Sequence, residues 1–101
     1  MKDKIKNAIL EGLKAKSTGP RCGCGRAYVC LGKVDRKVLN AYKKAAQEVG
    51  VRYLSEAYGS GRRVLYIGYD NATGLPLAQA EAVAKNLRDL GLPAYDDGVA
   101  D

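Results

Sequence analysis

The chain has no histidine, no tryptophan and no phenylalanine. Histidine is the one side chain whose ordinary pKa lies near neutrality. Without it, general acid–base chemistry would need a strongly shifted carboxylate, lysine or thiol. No carboxylate pair stands out, and the adjacent Asp96 and Asp97 fall in what reads as an acidic tail. No apolar run approaches the length of a membrane span. The first residues, MKDKIKNAILEGLKAK, are charged throughout, unlike a secretory leader. These absences point to a cytoplasmic, non-catalytic chain with no cofactor and no membrane partner.

Cysteine is scarce and odd in number: Cys22, Cys24 and Cys30. An odd count does not close an extracellular disulfide framework. Structural zinc takes four ligands, commonly as two close pairs. One C-x-C with one distant cysteine does not supply them, so no metal site is assigned. The ordinary expectation is reduced thiols, with Cys30 as a small buried apolar residue. A disulfide between Cys30 and one of the loop cysteines stays open as an alternative. Arg21–Arg26 (RCGCGR) could cradle an anion through glycine N–H groups and arginine forks. It lacks the G-x-x-x-x-G-K-[ST] pattern of a P-loop, and a flexible entry turn explains it more simply.

What the chain does have is tyrosine and uneven charge. All seven aromatics are tyrosines, whose apolar bodies and polar tips suit half-wet positions. The net charge is +6. Residues 1–69 hold fifteen basic and five acidic residues, a balance of +10, and residues 70–101 hold two and six, a balance of −4. A basic body with an acidic end fits an acidic partner, although solubility alone is an equally simple reading.

At 101 residues one domain is expected. Ile5, Ala8, Ile9 and Leu13 predict an amphipathic helix over 2–16, stopped by Ser17-Thr18-Gly19-Pro20. Ala27–Gly32 (AYVCLG) reads as a strand and Val34–Val49 as a helix that ends at Gly50. Val51–Tyr58 and Arg62–Tyr69 read as a hairpin around Gly59-Ser60-Gly61. Leu77–Leu90 reads as a helix closed by Gly91 and Pro93, Pro93–Asp96 as a short strand and Asp97–Asp101 as an acidic tail. The expected organisation is a basic N-terminal helix (1–20), a βαββαβ domain (21–96) and the tail (97–101). The element order is that of an α+β, ferredoxin-like fold. It predicts a four-stranded antiparallel sheet with two helices on one face, the two tyrosine segments at its centre, and an extra N-terminal helix. Simple alternation puts Ala27, Val29, Leu31, Leu65, Ile67 and Tyr69 toward the helices. It puts Tyr28, Cys30, Val64, Tyr66 and Gly68 on the other face. The N-terminal helix could cover that face, or pack at an edge or on a partner.

In this arrangement the chain resembles an RNA-recognition motif. Ala27-Tyr28-Val29-Cys30-Leu31-Gly32 is similar to that family's short first-strand motif, with Tyr28 at its stacking position. Arg62-Arg63-Val64-Leu65-Tyr66-Ile67-Gly68-Tyr69 is similar to its longer third-strand motif. There Arg62 matches the leading basic residue, Tyr66 a stacking aromatic and Tyr69 the core-facing last aromatic. Val64 departs from the family's other stacking aromatic, and Arg63 and Leu65 depart from its small positions. The overall style also resembles small accessory proteins of tailed bacteriophages, many of which inhibit host defence complexes.

The resemblance implies a binding protein that contacts nucleic acid, or a nucleic-acid-containing complex, through a flat Tyr/Arg sheet face. Tyr28 and Tyr66 would stack on bases, and Arg21, Arg26, Arg52, Arg62 and Arg63 would contact phosphates. The alternatives are a phage-encoded, anti-CRISPR-like inhibitor of a nucleic-acid-handling host protein complex, or a small-nucleotide sponge. A homodimer through the Val51–Tyr58 edge is compatible with the pattern.

Overall fold

The computed structural model describes residues 2–16, 24–57, 62–71 and 74–100. Seven elements follow in order: α1 (Lys2–Gly12), β1 (Cys24–Leu31), α2 (Arg36–Val49), β2 (Arg52–Ala57), β3 (Arg62–Asn71), α3 (Leu75–Asp89) and β4 (Ala94–Ala100). The four strands form one antiparallel sheet in the order β2-β3-β1-β4. The two tyrosine segments are therefore the central pair. No described helix is long and apolar enough to cross a membrane.

Local chemistry sets the helix ends. Asp35 caps α2 by accepting a 3.0 Å bond from Val38 N–H, so the helix starts two residues later than its apolar stripe suggests. Gly50, at φ 91°, turns the chain so that its own N–H and that of Val51 both reach the Ala46 carbonyl. The end of α3 uses the same device. Gly91 has φ 84°, its N–H bonds to Arg88 and the Leu92 N–H bonds to Leu87. Leu87 and Leu92, brought together by this turn, are both buried. At its start, Gly74 and Pro76 let α3 begin at Leu75, earlier than the expected Leu77.

The N-terminal helix is shorter than expected and lies on the helical side of the sheet. After Gly12 the bonds tighten to i→i+3 spacing at Lys14 and Ala15, and the Leu13 carbonyl accepts a bond from Gln79 of α3. Ile5 and Ile9 are fully buried, in the same cluster as Val29, Leu65, Tyr42 and Val83. Burying two isoleucines is worth roughly 1.5–3 kcal/mol each, so α1 is part of the core. It packs against both α2 and α3 and separates them. Gly12 permits the close approach, since a Cβ there would sit 2.4 Å from the Val83 side chain. Asn86 donates to the Ala8 carbonyl, and Lys2 and Lys6 pair with Glu48 of α2.

Two strand boundaries also differ from expectation. Cys24-Gly25-Arg26, read as loop, begins β1, and Asp97, read as tail, lies within β4. In each case pairing recruits residues whose local propensity is poor, because β1 and β4 bond to each other along Gly25–Leu31 and Ala94–Ala100. Arg21, Cys22 and the Gly59–Gly61 hairpin lie outside the described residues.

Candidate nucleic-acid interface

Residues directly opposite in a sheet share a face. The register therefore sorts the side chains. Tyr28 faces Tyr66 and Asp97, Cys30 faces Val64 and Tyr95, and Tyr66 also faces Arg52. Leu54 faces Val64, and Arg26 faces Tyr69. These residues make up the face opposite the three helices. Tyr28, Cys30, Val64, Leu54 and Tyr66 form a second apolar cluster, separate from the main core.

Tyr69 lies on this face because of a bulge. Ala27 pairs with Gly68 while Tyr28 pairs with Tyr66, which leaves Ile67 as the extra residue in β3. Ile67 and Gly68 thus both lie on the helical side, where Ile67 packs against the core and Gly68 approaches Pro76. Simple alternation, which put Tyr69 in the core and Gly68 outside, is corrected by that one inserted residue. Tyr69 is 45% exposed.

Arg63 is corrected as well. It pairs with Leu31, two positions from Leu65, and so lies on the helical side beside Tyr53. The side chain of Arg62 and all of Arg21 lie outside the described residues. The structure brings together four of the seven expected site residues: Arg26, Tyr28, Arg52 and Tyr66. With Leu54 they line one open depression of about 420 Å³.

The expected flat platform takes another form. Tyr28 is only 5% exposed. Its ring meets Tyr66 edge to face, with centroids 5.4 Å apart and planes at 62°. Tyr28 therefore supports Tyr66 from below and offers no open ring face itself. Cys30 is buried beside it, with its thiol 3.9 Å from Asp97 Oδ2. Tyr66 is half-buried. The most exposed described tyrosines on this face are Tyr69 and Tyr95, at 45% and 48%. Sequence reasoning missed Tyr95, although its position one residue before Asp96 in an alternating strand was the available signal.

A second depression, about 440 Å³, lies between α1 and α3. Its rim mixes Lys4 with Glu11 and Asp89, so it selects no charge class. No family model, no curated protein and no solved structure matches this chain.

Proposed function

We propose that this chain is a non-catalytic protein of ferredoxin-like topology that binds single-stranded nucleic acid on the open face of its sheet. The strand order β2-β3-β1-β4 supports the topology, with α1 as an added helix wedged between the other two. One observation carries the function. Arg26, Arg52 and Tyr66 converge on one depression of a face that none of the three helices covers. An aromatic ring that shares a depression with two arginines suits a base and its phosphates, because every base has a π-face and every linkage a charge.

In this reading Tyr66 stacks on a base, Tyr28 holds Tyr66 in place, and Arg26 and Arg52 contact phosphates. Tyr69 and Tyr95 extend the aromatic surface along the face. The test is an anisotropy titration of labelled single-stranded RNA and DNA against wild-type protein and Tyr66→Ala. The variant loses about 1–3 kcal/mol of affinity, and wild-type affinity falls steeply with salt. Unchanged affinity in a folded Tyr66→Ala protein sinks the assignment.

The acidic side of the same face favours one other reading. Tyr95 is exposed there, two residues from Asp97 on the same face of β4, and would suit a basic protein surface, as in an inhibitor of a host complex. Capture of a defined protein partner that survives nuclease and is lost in Tyr95→Ala supports that reading over the first.

A further inference from the structure

Arg63 is absent from the open face, and where it lies gives it a different use. Tyr53 and Arg52 are neighbours on the edge strand β2, so they point to opposite sides of the sheet. Arg52 faces Tyr66 on the open side. Tyr53 faces Leu65 on the helical side, and Lys43 of α2 lies over its ring, 5.5 Å from the centroid. The Tyr53 hydroxyl is covered and has no hydrogen bond of full geometry among the described residues. Burial raises its pKa, and the nearby positive charge of Arg63 opposes that rise. Two exposed cations, Lys43 and Arg63, therefore flank one half-buried tyrosine with a covered hydroxyl at the β2 edge.

The surroundings leave these cations unneutralised by α2. Arg36, Asn40, Lys43 and Gln47 recur at helical spacing, all exposed, and form a stripe without a carboxylate. Both acidic residues of this segment are engaged elsewhere. Asp35 caps the helix through Val38, and Glu48 is held by Lys2 and Lys6 of α1. Glu56 on β2 has a side chain outside the described residues. The far edge of the sheet has the opposite character, since β4 carries Asp96 and Asp97.

We propose that a single-stranded nucleic acid bound on the open face turns over the β2 edge, and that Lys43 and Arg63 hold its phosphates on the helical side. This rests on the function proposed above and gives that site a direction of exit. The strand leaves by the cationic β2 edge and avoids the acidic β4 edge. Arg52 would meet the strand on the open side of the edge, and Lys43 with Arg63 on the helical side.

The experiment measures affinity for a labelled single-stranded RNA of about 20 nucleotides as a function of salt. The proteins are wild type, Tyr66→Ala, Lys43→Gln/Arg63→Gln and a charge-matched control, Lys14→Gln/Lys16→Gln. All four substituted cations are exposed, so the fold is retained, as thermal melts will check. Each lost phosphate contact lowers the salt slope by roughly 0.7 for single strands. Lys43→Gln/Arg63→Gln is expected to lower it by about 1.4. Tyr66→Ala is expected to weaken binding with little change of slope, and the control to leave both unchanged. Tyr66-dependent binding with an unaltered slope in Lys43→Gln/Arg63→Gln overturns this inference alone. An equal loss of slope in the control does the same, because net charge then explains it. No binding, or binding indifferent to Tyr66→Ala, removes the function reading and this inference together.

Discussion

The two faces of one sheet are built to different rules. The helical face is closed and aliphatic: Ala27, Val29 and Leu65 are fully buried beneath three helices, and α1 and α3 meet where a glycine leaves no room for a methyl group. The open face has a small apolar cluster of its own, Tyr28, Cys30 and Val64, under a rim of Tyr66, Arg26 and Arg52. On the first face, burial stabilises the fold. On the second, burial fixes a few side chains in place so that their neighbours are presented to solvent in a defined geometry. Stability and binding should therefore separate by face.

The largest test of that separation is Ile9→Ala. Ile9 is fully buried and touches no part of the open face cluster. Truncation should cost about 2–5 kcal/mol, read from urea unfolding, while the folded fraction keeps wild-type nucleic-acid affinity. Tyr66→Ala should do the reverse, with its large effect on affinity and a stability change within about 1 kcal/mol. If both variants lose stability and affinity together, the two faces are one cooperative unit and the comparison fails.

A smaller test uses a flaw in the closed face. Tyr42 is fully buried, and its hydroxyl has no hydrogen-bond partner among the described residues. Burial pushes its pKa up to about 12 from an ordinary 10.0. A raised phenol pKa means that the unfolded chain ionises first, so stability holds below pH 10 and falls as pH rises toward 12. Tyr42→Phe should abolish much of that alkaline loss. It should also raise stability at neutral pH by about 1 kcal/mol, because an unpaired buried hydroxyl is costly. Destabilisation by Tyr42→Phe at pH 7 would show that the hydroxyl has a partner after all.

How far the sequence could be read also divides along these lines. Gly50 and Gly91 announce helix ends through local chemistry, and the apolar stripes of α2 and α3 announce buried sides, whereas the Asp35 cap is overrun by a stripe that begins at Val34. Pairing information is of another kind. The extra residue at Ile67 depends on which β1 residue each β3 residue meets, and nothing within Arg62–Tyr69 encodes it. That single bulge moved Tyr69 to the open face. Alternation alone does separate Arg63 from Tyr66, but a pair of adjacent arginines invites treatment as one patch. Asp97 looks like the start of a tail until β1 is there to bond it. The amphipathic stripe of α1 is the same whether it covers tyrosines or helices. The contacts that choose between them, such as Gly12 against Val83, are long-range and are not written in α1 itself.

The smallest expected effect concerns what holds α1 in place. Lys2 and Lys6 both reach Glu48, at 2.9 and 3.4 Å, with these side chains about 35–40% exposed. The Lys2 hydrogen bond is the main cause of a Glu48 carboxyl pKa below its ordinary 4.5, and the same bond raises Lys2 above 10.5. For Glu48 the folded pKa is depressed, so its contribution is present above pH 4.5 and is lost as pH falls through the folded value. For Lys2 the folded pKa is raised, so its contribution is present below pH 10.5 and is lost as pH rises through the folded value. Glu48→Gln should flatten the stability profile slightly at both ends, and moderate salt should mimic it, because exposed pairs are screened. Urea midpoints for both proteins between pH 3 and 11 measure this. A Glu48→Gln loss comparable to that of Ile9→Ala would mean that charge, not the buried isoleucines, seats α1 on the closed face. The closed face would then owe its stability to the same kind of interaction that the open face uses for binding.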